Sequence, residues 1–143
     1  MQNVLIAGGS GLIGSELGNY LKTKGYGVKI LSRRSTNMEQ NIYHWDISRS
    51  YIDLNAFVDT AFIINLTGSS IIGGRWTNKR KKDLRDSRIL STQLLVNTIN
   101  ENEIPIKHFI QASAMGYYGD SSDTILTETS PAGMDFMAQL CVD

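Results

Sequence analysis

The feature that most constrains this chain is an apolar run near its start that breaks into four closely spaced glycines. Val4–Ala7 contains no polar residue, which is typical of a buried parallel strand. Gly8, Gly9, Gly11 and Gly14 follow, with both the G-x-G-x-x-G and the G-x-x-G-x-x-G spacing, and an amphipathic pattern comes next. Such glycines permit a tight turn, an approach of backbone N–H groups to a pyrophosphate, and close packing of the next helix, whose N-terminus attracts phosphate. The stretch predicts a dinucleotide-binding strand–loop–helix unit, the alternative being a glycine-rich turn between ordinary elements.

Strand-like and helix-like segments alternate along the rest of the chain without a repeat or a linker. Further strands are predicted over residues 28–31, 42–45, 61–66 and 106–112. Helices are predicted from the glycine loop to about residue 24, over 54–58, over 78–100, and from about residue 132. Strands separated by helices imply right-handed crossovers and an open parallel sheet. The predicted fold class is therefore α/β, a Rossmann-type, doubly wound parallel sheet that forms one dinucleotide-binding domain over residues 1–143.

Composition excludes several classes of partner. Acidic and basic residues balance at 14 each, so no overall field favours nucleic acid or an anionic membrane. Cys141 is the only cysteine, and Met1–Asn3 lacks the basic region of a secretion signal, so we predict a cytoplasmic protein. No apolar stretch approaches membrane-spanning length. Asn65-Leu66-Thr67 matches a glycosylation sequon, which we interpret as coincidence because it ends an apolar strand.

Charge at the end of the second predicted strand bears on the choice of dinucleotide. An NAD site usually has an Asp or Glu about twenty residues beyond the loop, where it binds the ribose 2′-hydroxyl. Between Glu16 and Glu39 the chain has no acidic residue, and the strand runs into Ser32, Arg33 and Arg34. A hydroxyl and a guanidinium suit a 2′-phosphate. We therefore predict NADP rather than NAD as the cofactor, against the alternative of a solvated basic turn.

Short motifs spread over nearly the whole chain carry a resemblance to a known family. Besides the glycine loop, they include Asn65-Leu66-Thr67-Gly68, Arg75-Trp76-Thr77, Ser87-Arg88 and Gly116-Tyr117-Tyr118-Gly119. With these motifs the chain resembles the atypical, epimerase-like members of the extended short-chain dehydrogenase/reductase superfamily, the NAD(P)-dependent epimerase/dehydratases. Members of this family continue well past the length of this chain, so the chain looks truncated before the C-terminal substrate-binding part. Helix-mediated dimers are common in the superfamily, which leaves a homodimer open.

The resemblance also implies which residues bind the cofactor. In that family the glycine loop holds the pyrophosphate, the end of the third strand lies beside the adenine, the end of the fourth lines a ribose, and the end of the fifth approaches the nicotinamide. With the basic turn included, the expected cofactor-binding residues are Gly8, Ser10, Gly11, Leu12, Ile13, Ser32, Arg33, Asp46, Leu66, Thr67, Gly68 and Arg88. Arg88 is assigned from its place on the long helix, where extended members often carry a structural asparagine. No metal-ligand cluster is expected.

The catalytic residues are where the chain departs from the family. Its reductases and epimerases typically use a Tyr-x-x-x-Lys pair, in which the lysine lowers the tyrosine pKa so that the phenol can exchange a proton while hydride moves. The only such spacing here is Tyr20 with Lys24, which we reject as coincidence because both belong to the first helix, behind the sheet. The last predicted helix has Phe136 and Leu140 at the expected positions. The usual pair is therefore absent from this sequence.

Three residues on the loop after the fifth predicted strand are candidate substitutes for that pair. Ser113 follows the strand at the carboxyl edge, where open α/β sheets bind ligands, although an ungapped alignment on Tyr118 puts Ala114 at the serine position. Tyr117 and Tyr118 could donate a hydroxyl proton, or could simply pack the loop. The predicted function is an NADP-dependent oxidoreductase or epimerase acting by hydride transfer on a small substrate, with a nucleotide sugar as one candidate. The alternative is a non-catalytic regulatory module that binds NADP(H).

Overall fold

The computed structural model describes residues 2–143, and these residues form one six-stranded sheet with three α-helices. The strands are β1 (Asn3–Ala7), β2 (Gly27–Ser32), β3 (Ile42–Asp46), β4 (Tyr51–Ile52), β5 (Thr60–Asn65) and β6 (His108–Gln111). Their order in the sheet is β4-β3-β2-β1-β5-β6, and every neighbouring pair is parallel except β3 with β4. The predicted Rossmann-type parallel sheet is confirmed.

The helices are α1 (Leu12–Thr23), α2 (Asn78–Glu101) and α3 (Phe136–Val142). The predicted bounds of α1 and α2 are close to these, and α2 begins where the Thr77 hydroxyl accepts the N–H of Arg80 at 3.2 Å. The prediction that the last helix starts at about residue 132 is wrong. Asp135 accepts the N–H of Ala138 at 2.8 Å and caps a helix that starts at Phe136, the residue after it. Among the described residues, no helix combines the length and the apolarity that crossing a bilayer requires.

The stretch between β3 and β5 is more irregular than the sequence predicts. β4 has only two residues and pairs antiparallel with Trp45 and Asp46, so it is too short to produce a strand pattern in the sequence. The helix predicted over 54–58 is a 3-10 turn over Leu54–Phe57. Short turns therefore connect β3 to β5, where a doubly wound fold often has a full helix.

The chain divides into two compact units, one up to Gln111 and one from Ala112 to Asp143. The first unit holds the whole sheet with α1 and α2. The second holds α3 and a 3-10 turn over Met115–Tyr118. The single dinucleotide-binding domain predicted over residues 1–143 stays a prediction.

Apolar side chains cover both faces of the sheet in the first unit. On one face, Leu17 and Leu21 of α1 pack against Val4, Ile6 and Val28. On the other face, Leu95 of α2 joins a cluster of buried strand residues that includes Leu5, Ala7, Leu31 and Ile63. Because β1 is buried on both faces, it needs the unbroken apolar run that the sequence shows. Each large side chain buried in this way contributes about 1.5–3 kcal/mol of transfer free energy.

β1 lies where the path of the chain through the sheet reverses direction. α1 leads from β1 to β2 on one side of it, and the chain later returns to form β5 on the other side. The loops that follow β1 and β5 therefore leave the same carboxyl edge towards opposite faces. In open α/β sheets, the crevice between such loops is where ligands bind.

Candidate functional site

The loop between β1 and α1 is built on contacts that only glycine allows. Gly8 has a φ of +81°, and a Cβ on it would lie 3.0 Å from the carbonyl carbon and oxygen of Leu66. A Cβ on Gly14 would lie 2.4 Å from the carbonyl oxygen of Gly8 and 2.7 Å from the Cα of Gly9. The N–H of Gly11 closes the loop by donating to the carbonyl of Gly8 at 3.0 Å. The loop is therefore folded tightly against both the first turn of α1 and the end of β5.

The N-terminus of α1 presents unused backbone donors next to this loop. Gly11 is its N-cap residue and supplies no side-chain cap, and the first turn contains no acidic residue. The first backbone bond into the helix runs from the N–H of Ser15 to Gly11, so the N–H groups before it lack helical acceptors. The side chains of Leu12 and Ile13 are 85% and 70% exposed, respectively, and Ser10 is exposed as well. This helix start can bind an anion through its N–H groups and the positive end of its dipole.

A basic turn follows β2 at the same edge of the sheet. The Ser32 hydroxyl accepts the N–H of Arg34 at 3.1 Å, which folds the turn back on the strand end. Arg33 and Arg34 are both exposed. In the part of the chain that the structure describes, neither guanidinium makes a hydrogen bond or an ion pair. Two unneutralised positive charges therefore lie at the end of β2, as the sequence predicts.

Asp46, at the end of β3, is engaged by its own turn. Its Oδ1 accepts the hydroxyl of Ser48 at 2.6 Å and the N–H groups of Ser48 and Arg49 at 2.9 and 3.3 Å. The bond from the Ser48 hydroxyl, helped by the two N–H groups, keeps the pKa of Asp46 below its ordinary value, although burial acts in the opposite sense. Asp46 is therefore an ionised cap at neutral pH, and its contact with an adenine stays a prediction.

A buried polar network fixes the loop after β5, where Leu66, Thr67 and Gly68 are predicted to line a ribose. The fully buried amide of Asn65 accepts the Thr67 N–H at 3.1 Å and the Thr67 hydroxyl at 2.5 Å. Its Nδ2 donates to Oγ1 of Thr92 on α2 at 3.1 Å and to Oε1 of Gln111 on β6 at 2.8 Å. All four hydrogen-bonding positions of the amide are satisfied, so the loop is tied to both α2 and β6.

Arg88 supports the same loop from α2. Its Nη2 donates to the carbonyl of Ser69 at 3.2 Å, and its Nη1 donates to the carbonyl of Leu84 at 3.0 Å. A Cβ on Gly68 would lie 2.8 Å from Cζ of Arg88, so glycine leaves the room that the guanidinium occupies. The observed role of Arg88 is to hold the loop, and its contact with a cofactor stays a prediction.

The candidate catalytic residues all lie in the second unit. Ser113 is exposed and follows Gln111 by two residues, while Tyr117 and Tyr118 are half-buried in the 3-10 turn with their rings edge to face, 5.0 Å between centroids. Behind the turn, a Cβ on Gly133 would lie 2.8 Å from Cα of Gly119, so the two glycines let the chain segments touch. The N–H of Gly133 donates to the carbonyl of Tyr117 at 2.8 Å. The tyrosines are thus held by their backbone, and their catalytic roles stay predictions.

The rejected Tyr-x-x-x-Lys spacing has an ordinary structural role. Tyr20 is exposed on α1, and Nζ of Lys24 lies 5.2 Å from the centroid of its ring, in cation–π contact. On the last helix, Phe136 and Leu140 occupy the first and fifth positions of α3. α3 therefore has apolar residues at both positions of the usual pair.

The supporting roles of three residues were not predicted from the sequence. These residues are Asn65, Ser91 and Gln111. Oγ of Ser91 is fully buried, 2.6 Å from Oγ1 of Thr67, and donates to the carbonyl of Arg88 at 2.8 Å. The sequence signal for this network was a polar residue at the end of an apolar strand, because a buried polar group requires a hydrogen-bond partner. The burial of Asn65 agrees with the interpretation of the glycosylation sequon as a coincidence.

A known protein family and several of its members match this chain in sequence. The family model for the NAD dependent epimerase/dehydratase family matches residues 4–135. An epimerase family protein of Mycobacterium leprae (strain TN) is 40% identical over 141 residues, which cover 98% of this chain and 45% of that protein. The chloroplastic epimerase family protein SDR39U1 homolog of Arabidopsis thaliana is 30% identical over 145 residues, covering 96% of this chain and 42% of that protein. The chain thus spans less than half the length of these relatives.

Solved structures share the fold over nearly the whole chain. The crystal structure of human epimerase family protein SDR39U1 (isoform2) with NADPH has a TM-score of 0.83 at 27% identity, and the match covers 99% of this chain and 46% of that chain. A nucleoside-diphosphate sugar epimerase from Corynebacterium glutamicum has a TM-score of 0.79 at 30% identity, covering 99% of this chain and 29% of that chain. Both likenesses agree with the fold described above.

Proposed function

Because this chain belongs to the NAD dependent epimerase/dehydratase family, as its motifs predict, we propose that it binds NADP(H) and belongs to an enzyme, an oxidoreductase or epimerase, that acts by hydride transfer. The observation that carries the proposal is the glycine loop, in which Gly14 packs where no Cβ fits and the first N–H groups of α1 lack helical acceptors. That arrangement leaves space and donors for a pyrophosphate. Both the loop and the helix start belong to the first unit.

The residues at this edge suit a dinucleotide in their chemistry. The free N–H groups beside the glycine loop suit the pyrophosphate, and the basic turn after β2 suits a further phosphate. The loop after β5, held by Asn65 and Arg88, offers backbone groups to a ribose. We assign cofactor binding to Gly8, Ser10, Gly11, Leu12, Ile13, Ser32, Arg33, Asp46, Leu66, Thr67 and Gly68, with Arg88 acting through the loop that it supports.

The preference for NADP over NAD rests on the turn after β2. Its two exposed arginines have no anionic partner in the described part of the chain, and the sequence between Glu16 and Glu39 holds no acidic residue that could bind a free 2′-hydroxyl. A guanidinium binds phosphate through paired, charge-assisted hydrogen bonds. The human relative with NADPH, at 27% identity, supports the same choice.

Arg33→Ala is expected to weaken NADPH binding by about tenfold to a hundredfold, because a hydrogen bond to a charged group is worth about 1.5–3 kcal/mol. NADH lacks the 2′-phosphate, so its affinity should change less than twofold. Calorimetric titration of both dinucleotides into the two proteins measures the difference. Lys107→Ala, which removes an exposed charge before β6, is the matched control and should leave both affinities unchanged. Equal losses for NADPH and NADH in Arg33→Ala would contradict the assignment.

The chemistry of the proposed reaction divides between cofactor and protein. A bound nicotinamide would supply or accept the hydride. The chain must then hold the substrate oxygen and move its proton, and we propose Ser113, Tyr117 and Tyr118 for these roles, on the resemblance and on their position after β6. A nucleotide sugar is the substrate class favoured by the likeness to the nucleoside-diphosphate sugar epimerase at 30% identity.

Ser113→Ala is expected to reduce turnover by about a hundredfold, the usual contribution of a positioned proton donor or acceptor. Oxidation of NADPH is followed with a panel of carbonyl compounds and nucleotide sugars, and Tyr117→Phe and Tyr118→Phe are measured in parallel. NADPH affinity should stay within twofold of the starting protein in all three variants. Ser130→Ala, in the same unit, is the control and should keep full activity. Unchanged turnover in Ser113→Ala would remove this residue from the mechanism.

A second function is favoured by one observation, the apolar pair on α3. Phe136 and Leu140 stand at the spacing where the family has its catalytic tyrosine and lysine. A regulatory module that binds NADP(H) without turnover would have this property. Tight NADPH binding without turnover, in a protein that spans the full length of the relatives and whose affinity for a partner changes with NADPH, would support the module over the enzyme.

A further inference from the structure

His44 on β3 is bound to the basic turn that follows β2. In the register of the two parallel strands it lies opposite Ser32, the last residue of β2. Its Nδ1 is 3.0 Å from the carbonyl oxygen of Arg34. Because a carbonyl oxygen can only accept, Nδ1 carries the hydrogen and donates it. The ring therefore fixes the backbone of the turn two residues beyond the strand end.

The backbone of His44 holds the same segment at a second point. Its N–H donates to the hydroxyl oxygen of Thr36 at 3.0 Å, and that hydroxyl donates to Oδ2 of Asp53 at 2.7 Å. The His44 ring also packs against the ring of Tyr51 on β4, with 5.6 Å between the centroids. One residue thus joins both ends of the short segment Arg34–Thr36 to the rigid sheet.

We propose that His44 is a positioning residue that sets the preference for a dinucleotide with a 2′-phosphate, by fixing the path of the basic turn. This inference rests on the proposed function, in which Arg33 binds that phosphate. Two exposed positive charges attract any anion, whereas paired hydrogen bonds from one guanidinium form only in a definite geometry, which a fixed backbone makes easier to reach. The bond from the Ser32 hydroxyl to Arg34 fixes the start of the turn, and the bond from His44 fixes its far side. Preorganisation of this kind raises affinity by reducing the ordering that binding requires.

The test is the ratio of NADPH to NADH affinity in three variants of the full chain. His44→Phe keeps a ring against Tyr51 but removes the donor, and it should weaken NADPH binding by about threefold to tenfold, the worth of one hydrogen bond, with NADH unchanged within twofold. His44→Asn places an amide N–H near the position of Nδ1 and should retain the original ratio. His108→Phe makes the same substitution at the other histidine, on β6, and should change neither affinity.

The outcomes separate this proposal from the one on which it rests. A starting protein that binds both dinucleotides equally would overturn the NADP preference and the role of His44 with it. An intact ratio in His44→Phe would overturn only the role of His44. Equal losses for both dinucleotides in that variant would show that His44 supports the fold rather than selectivity. Hydrogen exchange at the N–H of Arg34 should be faster in His44→Phe, and unchanged exchange would also contradict the proposal.

Discussion

Gly14→Ala is expected to abolish measurable NADPH binding and to lower the free energy of unfolding by about 3 kcal/mol. The added Cβ would lie 2.4 Å from the carbonyl oxygen of Gly8 and 2.7 Å from Cα of Gly9. Both atoms belong to the backbone, so no flexible side chain can move aside. The helix start must shift away from the loop, which removes the N–H groups from the place where they would bind the pyrophosphate. Calorimetric titration with NADPH and urea unfolding measure the two effects.

Gly18→Ala is the matched control, one turn further along the same helix. A Cβ there would lie 3.5 Å from Cγ1 of Val28 and 3.8 Å from Cδ1 of Ile6, which are ordinary contacts. Alanine in a helix interior is favoured over glycine by about 0.5–1 kcal/mol, so this variant should be as stable as the starting protein or more stable, with unchanged NADPH affinity. If the two variants bind NADPH equally well, the close approach at Gly14 is not what forms the site.

Asn65→Leu is expected to lower the free energy of unfolding by about 3–4 kcal/mol, because each buried polar group that loses its partner costs about 1–3 kcal/mol. Leucine has nearly the shape of asparagine but leaves the N–H and the hydroxyl of Thr67 without the amide oxygen that accepts them. The loop after β5 should then open more often, and hydrogen exchange at the N–H of Thr67 should become faster. Urea unfolding gives the free energy.

Asn97→Leu is the control for this substitution. Asn97 is exposed on α2, so the same exchange of an amide for an apolar side chain removes no buried hydrogen bond and should change stability by less than about 0.5 kcal/mol. Equal stabilities of the two variants would mean that water satisfies the groups around Asn65 as well as its amide does. A stable Asn65→Leu variant with slow exchange at Thr67 would lead to the same conclusion.

Local patterns made most of the first unit predictable from the sequence. β1, the glycine loop and α1 follow from neighbouring residues alone, since the strand needs an apolar run and the turn needs glycine. β4 could not be predicted because two residues show no period. α3 begins later than predicted because Asp135 caps it, whereas the prediction started the helix directly after Pro131.

The part of the site that was missed depends on contacts between distant residues. Asn65 meets Thr92 and Gln111 at separations of 27 and 46 positions along the chain. His44 reaches Arg34 only because β2 and β3 are neighbours in register. No local pattern contains either fact, whereas the charge of the basic turn is visible in three consecutive letters. Polar residues inside otherwise apolar strands are the one signal that points to such networks in advance.

The two ends of the sheet differ in how they meet other strands. β4, only two residues long, blunts one edge, while β6 has four residues and pairs only with β5 among the described residues. On β6, the side chain of Ile110 is 52% exposed. An unpaired edge with apolar side chains is a template for strand addition. A two-residue edge strand offers few free backbone groups, so β4 protects its side of the sheet against strand addition.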